Sequence, residues 1–447
     1  LLVMHNHFDP TWRRCFDRPA RRHGVTVRGY AEVEAHCIDA WLVLADRGYR
    51  FSEGQAVVWR KYLERRPERI ETLRRHAREG RLDVMLAGET VQDSVLSTAE
   101  GLVRNFLLAV PFYREFVGAD HPGLKLAWLE DTFGSNPNYP QILRGVGAEV
   151  ACATSYWTCP EDVWVGIDGS RILCYDNRPA FQTGAFDKHP PCEQCRGQGC
   201  AACDGTGLTF IDGFDLEAIR QKLVEAITWD GGQWAAVLVT AEEVRPDGRV
   251  LDLVDRINRE YAGRATVRLA NPTDVCRAYR PMMEASAAAR DDRPTVDLNP
   301  AQVGCMVTRI TCKQRTRRAA YKLIAAEAIE ANRAWRAGVP VMPGEAMDRA
   351  WRAVVFNQFH DAITGTHIDS AYEELMAMLD QAEATADSIL DEAPVEAGTD
   401  GGPDEAFRAL AGTEGTMRLG RLDVRFDRFG IVEVLTAGRD VFGRLPA

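Results

Sequence analysis

Over residues 1–285, short apolar runs alternate with amphipathic stretches. LLVMH, RLDVMLAG, LKLAWLED, AAVLVTAEE and ATVRLA are short, apolar and rich in branched residues, and read as buried strands. AEVEAHCIDAWLVLADRG, PERIETLRRHAREG and LEAIRQKLVEAITW carry apolar residues at helical spacing. Such alternation predicts an α/β fold with parallel strands, in a barrel or a doubly wound sheet. Folds of that kind gather their chemistry at the carboxyl ends of the strands. The polar residues in those places are His5 to Asp9, Glu130 and Asp131, and Glu242 and Glu243.

The pattern changes after DDRPTVDLNP. Three helices follow over 296–392. One carries Tyr321, Ile324, Ala328, Ala331 and Trp335; the next Met347, Ala350, Trp351 and Val354; the third Tyr372, Leu375, Leu379, Ala382, Ala386 and Ile389. Each stripe predicts a core-facing surface, and together they predict a helical bundle. Residues 393–414 have the composition of a linker. RLDVRFDRFGIVEVL then alternates Leu422, Val424 and Phe426, turns at Gly430 and resumes with Val432 and Val434. It predicts a β-hairpin, so that 415–447 would be the opening strands of a C-terminal β domain cut short.

Composition narrows the function. The chain has 447 residues, with 46% hydrophobic and 27% charged, which excludes a mainly disordered protein. A net charge of −11 argues against nucleic acid and anionic membranes as partners. No apolar run reaches the roughly 18 residues that span a bilayer. The amino terminus lacks the basic segment and cleavage site of a signal peptide. Four of the 12 cysteines crowd into residues 192–203 and the others are scattered, a pattern of reduced thiols plus a metal knuckle, and the expected location is cytoplasmic.

Three segments carry chemistry. In HNHFDPTW, His7 and Asp9 are two apart and aim the same way from an extended chain; imidazole and carboxylate together suit zinc. In AWLEDTFGSNPNYPQIL, Glu130 and Asp131 end an apolar run. In FNQFHDAITGTH, His360 and Asp361 follow a helix. Capped loops and buried structural histidines use the same residues, so no segment decides alone.

Together the three resemble glycoside hydrolase family 38, the zinc-dependent α-mannosidases. The resemblance continues through FSEGQAVVW (51–59), GRLDVMLAGETVQD (80–93) and LNPAQVGCMVTRITCKQRTRRAAYKLIAAEA (298–328), all in the family's order. It implies a parallel seven-stranded, barrel-like β/α catalytic domain over 1–285, then a three-helix bundle and a β domain. It implies zinc ligation by His7, Asp9, Asp131 and His360, with Asp131 also the nucleophile. Trp12 and Phe133 match the aromatic floor of the sugar subsite, and Asp361 a carboxylate that binds sugar hydroxyls. Asp93 and Asp176 are further contacts. The chain departs from the pattern at Phe359, where many members have histidine. The general acid falls in VLVTAEEVRPDG, on Glu242 or Glu243.

One segment stands outside that resemblance. CEQCRGQGCAACDGTG (192–207) is two copies of Cys-x-x-Cys-x-Gly-x-Gly and resembles the knuckles of DnaJ-type zinc domains. Thiolates from Cys192, Cys195, Cys200 and Cys203 predict a closed, structural zinc site, inserted at 190–208. The expected function is retaining hydrolysis of terminal α-mannosides in glycans or oligosaccharides, with one catalytic and one structural zinc. A deacetylase-like zinc hydrolase and a non-catalytic glycan-binding protein are the rivals. Homo-oligomerisation stays open.

Overall fold

A computed structural model describes residues 1–22, 25–153, 162–176, 181–182, 191–203, 207, 214–229, 234–242, 244–290, 293–295, 302–340, 344–392 and the strand residues 415–419, 422–427, 430–436 and 439–440. Leu1–Asp391 forms one compact unit and Glu392–Ala447 another.

The first unit opens with β1 (Leu2–His7), a hairpin of β2 (Ala20–Arg22) and β3 (Val25–Val27), and α1 (Tyr30–Ala45). Next come β4 (Phe51–Ser52), α2 (Ala56–Arg65), α3 (Ile70–Arg78), β5 (Leu82–Asp83), α4 (Ala99–Phe116), β6 (Leu126–Leu129), α5 (Tyr139–Gly145), β7 (Val150–Ala153), β8 (Val163–Val165), β9 (Arg171–Asp176) and β10 (Phe181–Gln182). After these lie α6 (Leu216–Thr228), β11 (Val237–Glu242), α7 (Arg249–Glu260), β12 (Leu269–Ala270) and α8 (Pro272–Ala289). The helical part holds α9 (Ile310–Ala337), α10 (Glu345–Phe356), the short α11 (His360–Thr364) and α12 (Asp369–Asp391).

The strands predicted from the apolar runs form parallel ladders. One sheet has the order β10-β11-β1-β12, parallel throughout. In a second, β6, β7 and β9 run parallel and β8 closes the edge antiparallel. β4 pairs with β5, and a parallel bridge from Leu86 to Ala127 carries the chain after β5 onto β6. All six residues of β1 and all four of β6 are buried, as strands flanked on both sides and covered on both faces require. Helix starts follow local chemistry: the Thr98 hydroxyl caps α4 by accepting from Gly101 N at 3.0 Å, and Asn271 and Asp274 form a capping box on α8.

α9, α10 and α12 pack on one another, and α10 also packs on α4. The predicted stripes of α10 and α12 face inward: Met347, Ala350, Trp351, Val354, Leu375, Leu379, Ala382 and Ala386 are buried. The α9 stripe does not. Tyr321 is 65% exposed and Trp335 59%, whereas Thr316, Ala319, Ala320, Leu323 and Ala326 are buried. The inner face of α9 is built mostly from small side chains around Leu323, which let neighbouring helices approach closely, and Tyr321, Ile324 and Trp335 point away.

Among the described residues, ten cysteines are free thiols, but Cys174 is disulfide-bonded, so the expectation of reduced thiols outside the knuckle fails there. No helix among the described residues is long and apolar enough to cross a membrane. In the second unit, β13 (Gly415–Leu419), β14 (Leu422–Asp427), β15 (Gly430–Thr436) and β16 (Arg439–Asp440) pair antiparallel in sequence order. The predicted hairpin is β14–β15, with Val424 opposite Val434.

Candidate active site

β1 ends at His7 and the chain carries Asp9 two residues further. β6 ends at Leu129 and leads into Glu130 and Asp131. α11 begins at His360. These three points meet. His7 Nε2 lies 3.0 Å from Asp9 Oδ1, and His360 Nε2 lies 3.2 Å from the same oxygen. Asp131 Oδ2 is 4.0 Å from His360 Nε2. His7, Asp131 and His360 each offer a ligand atom within 4.8 Å of the others, as do Asp9, His360 and Asp361. His7 Nε2, Asp9 Oδ1 and His360 Nε2 are buried without a hydrogen bond. Buried polar atoms are rarely left unsatisfied, and three that converge have the geometry of ligands around a cation. Two imidazole nitrogens and two carboxylates are a donor set that zinc accepts. Asp131 holds a left-handed backbone at φ 52°, a conformation that a non-glycine residue adopts when its surroundings impose it.

His360 is registered by the segment that follows β5. An antiparallel bridge joins Gln92 to Phe359, and the amide of His360 donates to Val91 O at 3.1 Å. His360 Nδ1 lies 3.2 Å from that same carbonyl and donates to it, which turns Nε2 toward Asp9. Gln55 ties the other side, donating to Phe8 O at 2.8 Å and accepting from Val91 N at 3.1 Å.

The cluster is strongly polarised. Burial alone would lower both histidines, but Asp9, Glu130 and Asp131 outweigh it at His7, and Asp361 and Asp9 outweigh it at His360, which rises to about 10. Burial would raise Asp9, but His7 and His360 hold it well below the usual carboxylate range. At Asp131 burial prevails over those histidines and lifts the carboxyl to about 6. A bound cation would compete with protons on the histidine nitrogens.

Phe133 is buried, its ring centroid 6.0 Å from that of His360. Phe359 lies closer, at 4.0 Å. Asp361 is buried with one oxygen 3.5 Å from His360 Nε2, and its other oxygen accepts from the Thr366 hydroxyl. Trp12 is half-buried under the Arg13 guanidinium, 4.0 Å from the ring centroid. Asp93 caps the turn after it, accepting from Val95 N at 2.9 Å and Leu96 N at 2.7 Å. Asp176 ends β9 and Glu242 ends β11 with its backbone beside His7, but both side chains lie outside the described residues. Glu243 lies outside them altogether.

A buried network lies behind His7 and Asp131, and it joins His5 and Glu130, expected only as polar residues at strand ends, to Ser52. His5 Nδ1 is 2.8 Å from Ser52 Oγ, and His5 Nε2 is 2.6 Å from Glu130 Oε2, which also accepts from Trp128 Nε1 at 3.1 Å. Burial would raise Glu130, but His5 and His7 bring it down to about 2. Beside it, burial pushes Glu53 up to about 8. The available signal was period two along β1, which sets His5 and His7 on one face of a strand that opens with the apolar Leu2, Val3 and Met4.

The knuckle cysteines also converge. Cys192 and Cys200 sulfurs are 3.8 Å apart, Cys195 and Cys203 3.7 Å, and Cys200 and Cys203 3.8 Å. Tetrahedral zinc with Zn–S bonds of about 2.3 Å separates its sulfurs by about 3.8 Å. Backbone N–H groups point at the sulfurs: Gly199 to Cys195 at 3.1 Å, and Cys200 and Gly207 to Cys203 at 3.2 Å. Burial would raise Cys203, but these donors favour its thiolate and bring it to about 6.

Residues 1–225 match the N-terminal domain of the glycosyl hydrolases family 38, and residues 303–394 match the alpha mannosidase middle domain. Human alpha-mannosidase 2C1 is 23% identical over 403 residues, 86% of this chain and 34% of that protein. A putative mannosylglycerate hydrolase of Halalkalibacterium halodurans is 27% identical over 154 residues, 34% of this chain and 16% of that one. The chain spans about a third of the length of the human relative. A crystal structure of an alpha-mannosidase from Enterococcus faecalis V583 superposes with a TM-score of 0.64 at 18% identity, over 88% of this chain and 42% of that one.

Proposed function

The chain belongs to glycosyl hydrolases family 38, and from that premise we propose that it hydrolyses terminal α-mannosides of glycans or oligosaccharides with retention. The convergence of His7 Nε2, Asp9 Oδ1 and His360 Nε2, all buried and without hydrogen bonds, carries the reading. His7, Asp9, Asp131 and His360 would hold zinc, which supplies Lewis-acid polarisation and a fixed grip on sugar hydroxyls. The protein's own groups do the rest. Asp131 attacks the anomeric carbon as the glycosidic bond breaks, and a carboxylic acid, Glu242 or Glu243, protonates the leaving oxygen. The same acid, now a carboxylate, takes a proton from water, which releases mannose from Asp131 with the original configuration. Phe133 and Trp12 form the apolar floor for the ring, and Asp361 accepts from its hydroxyls. In this reading 1–285 is a seven-stranded β/α catalytic domain, 296–392 a three-helix bundle that supplies His360, and the cysteine knuckle holds a second, structural zinc.

The test is release of mannose from an aryl α-mannoside, with and without chelator, with the first-formed anomer followed by NMR. Zinc-dependent release of α-mannose supports the reading. First-formed β-mannose would mean inversion and remove Asp131 as nucleophile. Glycan binding without turnover by the full-length protein would replace hydrolysis by recognition.

A further inference from the structure

The cysteine knuckle rests on the β2–β3 hairpin. Gly197, at φ +88°, lies so close to β3 that a Cβ there would sit 2.2 Å from the Thr26 carbonyl oxygen. Gly207 closes the knuckle from the other side: its carbonyl accepts from Cys192 N at 2.9 Å, and a Cβ on it would meet Gly197 O at 2.2 Å. Both contacts require glycine, and both lie on the knuckle's backbone. β3 pairs with β2, Thr26 opposite Arg21. On the hairpin's inner side, Ala20 and Val27 are buried with Cys15 and Val33, and Ile368 packs against them. The amide of Ile368 donates to Trp12 O at 2.8 Å. Glu374 of α12 accepts from Phe16 N at 2.6 Å and from Asp17 N at 3.3 Å. The hairpin therefore lies between the knuckle and the loop that carries Asp9 and Trp12.

We propose that the four-cysteine knuckle is a zinc-dependent brace: the metal orders it so that Gly197 docks on Thr26 and holds the β2–β3 hairpin, and through it the Trp12 loop, in place. The proposal rests on the reading of the knuckle as a zinc site. β2 and β3 have three residues each, and a ribbon that short is marginal in water without a partner on its face. The knuckle has few apolar side chains of its own to order it, whereas coordination by four thiolates orders a short loop outright. Such a site is closed, so its role is mechanical.

The experiment uses the full chain and a Cys200→Ser, Cys203→Ser double variant, with zinc counted by elemental analysis and amide hydrogen exchange read at Ala20–Arg22, Val25–Val27 and residues 11–18. Loss of one zinc per chain, with exchange there faster by roughly tenfold or more, is the expected result. Zinc lost with unchanged exchange overturns the brace while leaving the knuckle's metal. Zinc content unchanged overturns the metal reading and the brace with it. Gly197→Ala is the second variant: it keeps all four thiolates but places a methyl against Thr26 O. It should retain zinc and still loosen the hairpin; a hairpin as protected as in the parent chain overturns the docking.

Discussion

His360 Nε2 lies 3.2 Å from Asp9 Oδ1, with neither atom in a hydrogen bond. One residue begins a short helix late in the first unit and the other follows its first strand. In the proposed reading their approach makes a metal position out of two distant segments, which gives the first prediction. Asp9→Asn leaves the shape but weakens a ligand. Zinc affinity should fall by roughly 10- to 100-fold, with activity recovered by added zinc. Titration with a competing chelator checks this, and an affinity equal to the parent's would place the metal elsewhere.

In the proposed mechanism Asp131 combines a ligand position with the nucleophile's role. An amide coordinates weakly and does not form the glycosyl ester. Asp131→Asn should lower turnover of an aryl α-mannoside by roughly 10⁴-fold, and added zinc should not restore it. Zinc content measured beside activity separates the two effects.

His367 gives a pH dependence to stability. It is buried, its Nδ1 donates to Asp361 O at 2.8 Å, and burial lowers it to about 4. The unfolded chain takes up this proton near pH 6.5 and the folded chain does not until about pH 4. Its contribution is therefore complete above about pH 6.5 and is lost as pH falls toward 4, by at most about 3 kcal/mol. His367→Asn should flatten the fall of Tm over that interval. Parallel curves for parent and variant would show that other groups set the acid limb.

The two faces of α9 should respond in opposite ways. Leu323 is fully buried and Tyr321 is 65% exposed. Leu323→Ala should cost about 2–5 kcal/mol by the cavity it leaves. Tyr321→Ala should stay within about 0.5 kcal/mol. Denaturant unfolding of both variants checks the assignment, and the reverse order would restore the face that helical periodicity chose.

Much of this protein was legible from local pattern. β1, β6 and β11 follow from apolar runs long enough to be covered on both faces, and α10 and α12 from stripes whose large residues also pack. The spacing of the cysteines prescribes a knuckle, because four thiolates within twelve residues need only local turns to converge. His7, Asp9, Asp131 and His360 were legible as residues through the family resemblance, since each lies in a short motif. Periodicity failed at α9, because it finds a face without saying which side of the helix the fold covers. It set His5 and Glu130 at strand ends but did not join them to Ser52 or Glu53, and the shifts of Glu53 and Glu130 arise only when those strand ends are packed together out of water. The tertiary structure decided that Asp9 and His360 share one point, and that the knuckle leans on Thr26. Such distances depend on how far-apart segments pack, and no local pattern encodes them.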